Sequence, residues 1–373
     1  FNKWVAMWGG AFSVNENRPE SYGKDITLIY PVTCPFDGDR IRITWDNYCG
    51  LEDITLTRVS VYLNKQFHEV RFAGQERGHI AAGKSIVSDD VEMNVKKGDV
   101  LEVRFYLGEI TSLRSAVFMS GPLTGGSYAV GDYTMKAEVD NRKSRPTNMY
   151  YFLSNISIRT SEENHAIVCY GDSITAQSWP DYLLMRCMEN EDNHTSVIRR
   201  ATSGSRILRE YDCITYESYG LMGKKRFQHE VPTDGADMVI IQQGINDIIH
   251  PVGEDVNPFR PMSDLPTAAE LMEGITEYIK AARQMGLKVY LGTLLPIEGW
   301  RTYALFREDL KSDFNMMLRN CKEADGCIDF GVATARAERQ AAFLEGYDSG
   351  DHLHPSEAGY RAMADAVPED LLY

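Results

Sequence analysis

The sequence predicts an α/β fold built around a parallel, doubly wound sheet, preceded by an N-terminal β-sandwich or jelly roll. Two observations predict this division. Over roughly the first 140 residues, short runs alternate between apolar and polar side chains, which is typical of strands with one buried face. From about residue 160 onward, short apolar runs alternate with helical segments, which is typical of βαβ units.

The N-terminal strands are predicted from the period-2 spacing of β-branched and aromatic residues. The clearest runs are residues 40–45 (RIRITW), 55–63 (TLTRVSVYL) and 100–107 (VLEVRFYL). Clusters of Gly, Asp, Asn and Lys separate these runs, as turns require. Trp4, Trp8 and Trp45 could form a sugar-stacking platform, but large aromatic side chains in a sandwich are commonly buried, so core packing is favoured.

A polar segment with a proline separates the two parts. Residues 140–147 (DNRKSRPT) predict a linker or an exposed loop. We therefore expect a β-sandwich accessory domain over residues 1–158 and an α/β domain over residues 159–373.

The α/β domain is predicted from strands and helices in alternation. Its buried strands are predicted at residues 166–170 (AIVCY), 238–242 (MVIIQ), 288–294 (KVYLGTL) and 327–330 (CIDF). Pro180 is placed to begin a helix that contains residues 182–188. Thr267 and Glu270 form a capping-box pattern that begins a helix reaching residue 285, where Gly286 ends it. Two more helices are predicted over residues 303–320 and 356–366.

The composition argues against two classes of partner. The formal net charge is −15, which argues against nucleic-acid binding, since that would need a basic face, and disfavours docking to anionic lipid. No apolar run is long enough for a membrane helix, and no signal-peptide core is visible. Hydrophobic residues make up 43% and charged residues 25%, as in soluble globular proteins. We expect neither a nucleic-acid nor a membrane partner.

The cysteines and histidines predict no metal and no other cofactor. Seven cysteines stand at positions 34, 49, 169, 187, 213, 321 and 327, without any C-x-x-C pair. Unpaired thiols and a cytoplasmic location are favoured, with a Cys34–Cys49 bridge as the alternative. Secretion stays open because the sequence begins at Phe1. The histidines at positions 68, 79, 165, 194, 229 and 250 do not cluster with carboxylates at metal-ligand spacing.

Four polar segments follow predicted strands or precede a helix, where doubly wound folds bind their ligands. They are residues 171–174 (GDSI), 201–206 (ATSGSR), 244–247 (GIND) and 351–355 (DHLHP). Ser173 alone could be a helix cap. Asp351 and His354, three residues apart in a turn, can hydrogen-bond to each other while the imidazole faces a serine. An asparagine such as Asn246 can donate a hydrogen bond to an oxyanion.

These four segments resemble the conserved blocks of the SGNH, or GDSL, hydrolases over about residues 165–366. Residues 347–364 (YDSGDHLHPSEAGYRAMA) and Phe227 resemble two-domain members described as lysophospholipase-like or as GDSL acylhydrolases. In those proteins a jelly roll precedes the hydrolase, and residues 4–11 (WVAMWGGA) resemble its beginning. The resemblance implies a flavodoxin-like, three-layer α/β/α catalytic domain.

The resemblance also implies residue roles. Ser173 would attack an ester carbonyl, His354 would transfer the proton, and Asp351 would hold the imidazole tautomer. The Ser173 amide, the Gly204 amide and the Asn246 side chain would form the oxyanion hole. Asp247 is interpreted as a structural support of its turn. His352 is the alternative base, but the three-residue step from Asp351 and the following Pro355 favour His354.

Four further residues are candidate substrate contacts: Asp172, Ser205, Trp179 and Trp300. Ser205 departs from the family pattern, which often has asparagine directly after the block glycine. Trp179, Trp300 and Tyr303 follow strands and are interpreted equally as pocket lining or as packing.

The implied function is hydrolysis of a carboxylic ester. Removal of acetyl or another short acyl group from a carbohydrate is favoured, because the sequence shows little sign of a broad hydrophobic lid and an accessory β domain suits a saccharide substrate. The expected partner is thus a small-molecule or oligosaccharide ester. A lysophospholipase or thioesterase is the alternative within the class. A carbohydrate-binding protein without catalysis is the alternative outside it.

Overall fold

The structure is a computed structural model that describes residues 1–15, 21–211 and 216–373. The chain forms two compact units. The first comprises Phe1–Ala166, Cys187–Ile198 and Thr233–Gly235. The second comprises Ile167–Arg186, Arg199–Pro232 and Ala236–Tyr373.

The first unit is built mainly from short strands. In chain order they are β1 (Lys3–Gly9), β2 (Tyr22–Gly23), β3 (Ile26–Thr33), β4 (Gly38–Asp46), β5 (Ile54–Leu56), β6 (Arg58–Leu63), β7 (Gln66–Val70), β8 (Gly78–Ile80), β9 (Ser85–Val87), β10 (Val91–Val95), β11 (Val100–Leu107), β12 (Thr111–Ser112), β13 (Ala116–Phe118), β14 (Gly126–Val130), β15 (Ser144–Thr147), β16 (Met149–Tyr151) and β17 (Leu153–Thr160).

Two antiparallel sheets form the body of this unit. One has the order β1-β17-β4-β10, with β9 also paired to β4, and the other has the order β15-β14-β3-β11-β6-β7. On β11 every second residue is fully buried: Leu101, Val103, Phe105 and Leu107. Phe105 meets Trp45 of β4 with ring centroids 5.9 Å apart. Side chains of the two sheets therefore share one core, as a β-sandwich requires.

Trp45 is fully buried, which confirms its prediction as a core residue. Trp8 stacks on Tyr150 at 5.2 Å between ring centroids, and the guanidinium of Arg42 lies 4.0 Å from the Trp4 ring centroid. A jelly-roll connection of the strands stays a prediction.

Two sequence predictions in this unit are wrong in detail. Residues 140–147 are not a free linker: a 3-10 turn at Asn141–Lys143 leads into β15, which pairs with β14. Its Pro146 is tolerated because β15 is an edge strand, where a missing N–H breaks no ladder. The single strand predicted over 55–63 is two strands in different sheets, β5 and β6, divided at Thr57.

Cys34 is a buried, free thiol, so its bridge to Cys49 is not formed. Burial raises its pKa to about 12, which keeps the thiol protonated and unreactive at neutral pH. Cys213 lies outside the described residues.

The second unit alternates strands and helices. Its strands are β18 (His165–Gly171), β19 (Thr195–Ala201), β20 (Ala236–Gln242), β21 (Lys288–Gly292), β22 (Gly326–Ile328), β23 (Ala335–Arg336) and β24 (Arg339–Phe343), the first two of which begin in the other unit. Its helices are α1 (Ser173–Ala176), α2 (Trp179–Met188), α3 (Gly223–Glu230), α4 (Ile245–Ile249), α5 (Ala268–Gln284), α6 (Leu305–Arg319), α7 (Phe330–Thr334) and α8 (Glu357–Ala366).

The sheet has the order β19-β18-β20-β21-β22, with parallel pairing of β20 to β21 and of β21 to β22. The predicted α/β fold with a parallel sheet is therefore confirmed. The capping box predicted at Thr267 and Glu270 is present at the start of α5. The strand predicted over 327–330 ends earlier, because the Asp329 side chain caps α7 by accepting from the Val332 amide. Within the described residues, no helix is both long and apolar enough to cross a membrane.

Candidate active site

Ser173 lies at the carboxyl end of β18, in a turn that leads directly into α1. Gly171 makes this turn possible, since a Cβ there would lie 2.4 Å from the Gln242 carbonyl oxygen. The Asp172 carboxylate caps α1 by accepting from the Ile174 amide at 3.0 Å. Ser173 is half-buried, so its hydroxyl remains accessible at the strand tip.

The Ser173 hydroxyl is hydrogen-bonded to the imidazole of His354. The Ser173 Oγ to His354 Nε2 distance is 2.8 Å, and His354 Nδ1 lies 2.6 Å from Asp351 Oδ2. If Nδ1 carries the proton that it donates to Asp351, then Nε2 is free to accept the proton of Ser173 Oγ. The structure thus brings these three side chains together in the order that the sequence predicts.

The Asp351 carboxylate is held by its own loop. Its Oδ1 accepts from the amides of Leu353 at 2.9 Å and His354 at 2.8 Å. Partial burial opposes ionisation, but the hydrogen bonds from the His354 side chain and from the two amides lower the Asp351 pKa below its ordinary value. Asp351 is therefore anionic at neutral pH and oriented toward the imidazole.

His352 belongs to a different pair. Its Nδ1 lies 2.5 Å from Asp348 Oδ2, and its backbone has a φ of 67°. Sequence reasoning overlooked Asp348. The signal was present as the four-residue step from Asp348 to His352 within the same segment.

Gly204 and Asn246 lie beside Ser173. All three line a pocket of about 300 Å³ together with His354 and Trp300. Gly204 has a φ of 78°, and a Cβ there would lie 2.3 Å from the Tyr219 ring, so both its conformation and its space require glycine. Asn246 follows β20 on α4, and its Nδ2 donates one hydrogen bond to the Ser205 carbonyl at 3.0 Å. A second N–H of that amide group is left for a ligand.

Two of the predicted substrate contacts are corrected by their burial. Trp179 is 0% exposed, donates from Nε1 to Thr175 Oγ1 at 3.1 Å and packs on Phe330. It is a packing residue. Asp172 is likewise 0% exposed and serves as the cap of α1. Trp300, by contrast, lines the pocket as predicted.

Ser205 is corrected in the same way, because it is fully buried and is not among the residues that line the pocket. Its Oγ accepts hydrogen bonds from Arg226 at 2.6 Å and from Gln243 at 2.8 Å, while its carbonyl orients Asn246. Arg226 in turn forms a fully buried ion pair with Glu230 at 2.7 Å. Ser205 therefore connects a buried charge pair to the Asn246 side chain.

Asp247 supports the neighbouring turn. Its carboxylate accepts from the amides of Ile207 at 2.8 Å and Leu208 at 3.1 Å. Burial raises its pKa to about 6, although both amide hydrogen bonds oppose that shift.

Burial also raises the pKa of Asp172 to about 7 from an ordinary value of 3.8, even though the hydrogen bond from the Ile174 amide favours its ionised form. Between about pH 4 and pH 7, Asp172 is therefore protonated in the folded state and ionised in the unfolded state. This contribution to stability is present below about pH 4 and is lost as the pH rises through 7.

An Asp172→Asn variant should therefore gain in Tm relative to the wild type as the pH rises from 5 to 8, because the amide never ionises. Thermal unfolding of both proteins at the two pH values measures the difference. Parallel Tm profiles over this range would show that Asp172 is not titrating there.

In the described ranges, no group of three or more His, Cys, Asp and Glu side chains is arranged to hold a metal ion.

Residues 169–362, just over half of the chain, match the model of the GDSL-like lipase/acylhydrolase family. None of the curated proteins matches the chain. Several solved structures are similar to it at low sequence identity. A GDSL-like lipase from Bacteroides thetaiotaomicron is 18% identical, with 56% of this chain and 88% of that chain covered and a TM-score of 0.39.

A mutant of an acetyl-xylooligosaccharide esterase from Geobacillus is 18% identical, with 55% of this chain and 94% of that chain covered and a TM-score of 0.42. A Bacillus subtilis protein of 15% identity covers 98% of this chain over 96% of its own length, with a TM-score of 0.39. The family match includes Ser173, Gly204, Asn246, Asp351 and His354. On this match the chain belongs to the GDSL-like lipase/acylhydrolase family and has the SGNH hydrolase fold.

Proposed function

We propose that this protein is a serine esterase that removes acetyl or other short acyl groups from a carbohydrate. The observation that carries the proposal is the hydrogen-bonded series from Ser173 through His354 to Asp351 at the pocket. A serine is a weak nucleophile unless a neighbouring base accepts its proton, and His354 Nε2 is positioned to do so.

In the proposed reaction Ser173 Oγ attacks the ester carbonyl carbon while its proton passes to His354 Nε2. The negative charge on the carbonyl oxygen would be stabilised by the Ser173 and Gly204 amides and by the Asn246 side chain. The carbon–oxygen bond to the alcohol then breaks, and the alcohol leaves with the proton from His354. Asp351 stabilises the imidazolium in the interval.

Water completes the cycle. It attacks the acyl group on Ser173 and gives one proton to His354, and the carboxylic acid leaves as the bond to Ser173 Oγ breaks. His354 returns the proton to Ser173 Oγ. One ester and one water thus yield one acid and one alcohol, and the protein is restored without a cofactor.

The pocket supports a short acyl group. Its volume of about 300 Å³ is at the lower end for ligand pockets, and polar side chains such as Gln177, Ser203 and Thr302 contribute to its lining. A long alkyl chain would need a larger apolar surface to leave water favourably.

Hydrolysis of p-nitrophenyl acetate, butyrate, octanoate and palmitate, together with acetate release from acetylated oligosaccharides, tests the proposal. We expect kcat/KM to be highest for acetate or butyrate and to fall steeply toward palmitate. The Ser173→Ala protein, purified in parallel, controls for contaminating esterases.

Each other outcome would replace the proposal with a specific alternative. A preference for octanoate and palmitate would favour a lysophospholipase or thioesterase. Binding to oligosaccharides without cleavage of any ester would indicate a carbohydrate-binding protein.

A further inference from the structure

The pocket beside Ser173 is lined by two cationic side chains. Arg260 and Arg301 line it, whereas no Asp or Glu does so in the described part of the chain. Neither guanidinium lies within ion-pair distance of a carboxylate among the residues that the structure describes. In the part of the chain that the structure describes, the two positive charges at the pocket are therefore not neutralised by an ion pair.

Arg260 is held in place by aromatic rings and by its backbone. Its guanidinium lies 4.6 Å from the centroid of the Tyr216 ring, and the Tyr216 hydroxyl is fixed by Asn257 Nδ2 at 2.6 Å. The Arg260 carbonyl accepts from the amides of Val252 at 3.0 Å and Gly253 at 2.9 Å. The ring contact and a long hydrogen bond from Nη2 to the Tyr219 hydroxyl at 3.5 Å orient the guanidinium. Its other terminal N–H groups are available for a ligand.

Arg301 is placed by the pocket tryptophan. Its guanidinium lies 4.4 Å from the centroid of the Trp300 ring, which itself lines the pocket. Arg301 is exposed, so it can reorient toward a bound group. One preorganised cation and one adaptable cation therefore border the same cavity.

The surroundings add positive charge. Arg206 and Arg209 share a single carboxylate, that of Asp264, at 3.6 Å and 3.4 Å. His250, which also lines the pocket, is buried, and its pKa is held well below the ordinary value by that burial and by Arg260, Arg206 and Arg301. His250 is thus neutral at pH 7, because a further positive charge there is unfavourable.

We propose that Arg260 and Arg301 recognise a carboxylate carried by the ester substrate, so that the enzyme prefers anionic esters over neutral ones of the same size. The inference rests on the proposed esterase function and adds the charge of the substrate. A guanidinium binds a carboxylate by charge-assisted, often bidentate hydrogen bonds. Among the described residues, no Asp or Glu lines the pocket to compete for them. Burial of the ligand in the pocket would strengthen this attraction relative to water.

The test compares matched anionic and neutral esters in two arms. One arm places the carboxylate on the acyl side, with p-nitrophenyl hemisuccinate against p-nitrophenyl butyrate. The other arm places it on the alcohol side, with monoacetylated galacturonic acid against monoacetylated galactose. We expect kcat/KM to favour the anionic member of one pair by about tenfold or more, a ratio within the range of a hydrogen bond to a charged group. The preference should decrease with added salt.

Variants connect the preference to these side chains. Arg260→Gln and Arg301→Gln should each bring the ratio of anionic to neutral kcat/KM closer to one, mainly through KM. Arg260→Lys should retain part of the preference, since it keeps the charge but loses the planar fork. Arg361→Gln is the matched control: Arg361 is exposed and does not line this pocket, so the same loss of charge should leave the ratio unchanged.

Calorimetric titration of the Ser173→Ala protein with succinate and with galacturonate provides a readout that needs no turnover. Hydrolysis of neutral esters with equal kcat/KM for both members of each pair would overturn the inference and leave the proposed function intact. A ratio that changes as much in Arg361→Gln as in Arg260→Gln would also overturn it. If no ester is cleaved but an anion binds in an Arg260-dependent way, then the proposed function fails and the anion site stands.

Discussion

Replacement of Ser173 by alanine is expected to lower kcat for p-nitrophenyl acetate by about 10⁴-fold or more, the usual cost of removing a serine nucleophile. The reason is that no acyl-enzyme can form once Oγ is absent, although His354 and the proposed oxyanion donors remain. Substrate binding depends on groups that the substitution leaves in place, so KM should change much less than kcat. Residual activity above the rate in water would then come from binding and from the oxyanion donors.

The matched control is Ser312→Ala, which removes the same hydroxyl from an exposed position of α6. It should retain the kcat of the wild type. Mass spectrometry of the wild type after rapid mixing with a p-nitrophenyl ester should detect the acyl group on the peptide containing Ser173. Activity close to wild type in Ser173→Ala, after removal of contaminating esterases, would refute the assignment of the nucleophile.

The polar residues at the strand ends could be predicted from the sequence because topology brings such positions together. Ser173 follows β18 and Asn246 follows β20, and these strands are neighbours in the sheet. In a parallel sheet the carboxyl ends of the strands share one edge, so residues that follow different strands converge there. The period of the apolar pattern was sufficient for this part of the prediction.

Burial near the site could not be predicted in the same way. Trp179 lies six residues after Ser173, yet its side chain is buried and contacts Thr175. Ser205 directly follows Gly204, yet its side chain is buried and contacts Arg226. Spacing along the chain fixes which residues are close to a strand end, but not which of them face the ligand. That choice depends on packing against residues far away in sequence.

The charged side chains show the same limit. Arg226 and Glu230 are four residues apart on α3, a spacing that on most helices indicates a solvated ion pair. Here both are fully buried, and Arg226 also donates to the Gly171 carbonyl beside Ser173 at 3.2 Å. Arg260 lies in a segment without regular helix or strand, and only folding places it at the pocket.

The choice between two adjacent histidines gives the second large expected effect. Substitution of His354 by asparagine should lower kcat by about 10⁴-fold, as removal of the base does in serine hydrolases. Substitution of His352 by asparagine should leave kcat within a few-fold of the wild type. His352 is bound to Asp348, whereas the hydrogen bond to Ser173 Oγ is made by His354.

Asparagine is the appropriate replacement at both positions because His352 has a φ of 67°, and asparagine tolerates this left-handed conformation better than alanine. The effect measured for His352→Asn then reports the loss of the imidazole and not backbone strain added by the new residue. Steady-state kcat for p-nitrophenyl acetate, with Tm as a check on folding, measures both variants. A greater loss in His352→Asn than in His354→Asn would assign the base to the Asp348–His352 pair. Each histidine has its own carboxylate within 2.6 Å, so the two pairs are alike in that respect. They differ in that His354 is hydrogen-bonded to Ser173 Oγ, and the comparison isolates the effect of that hydrogen bond.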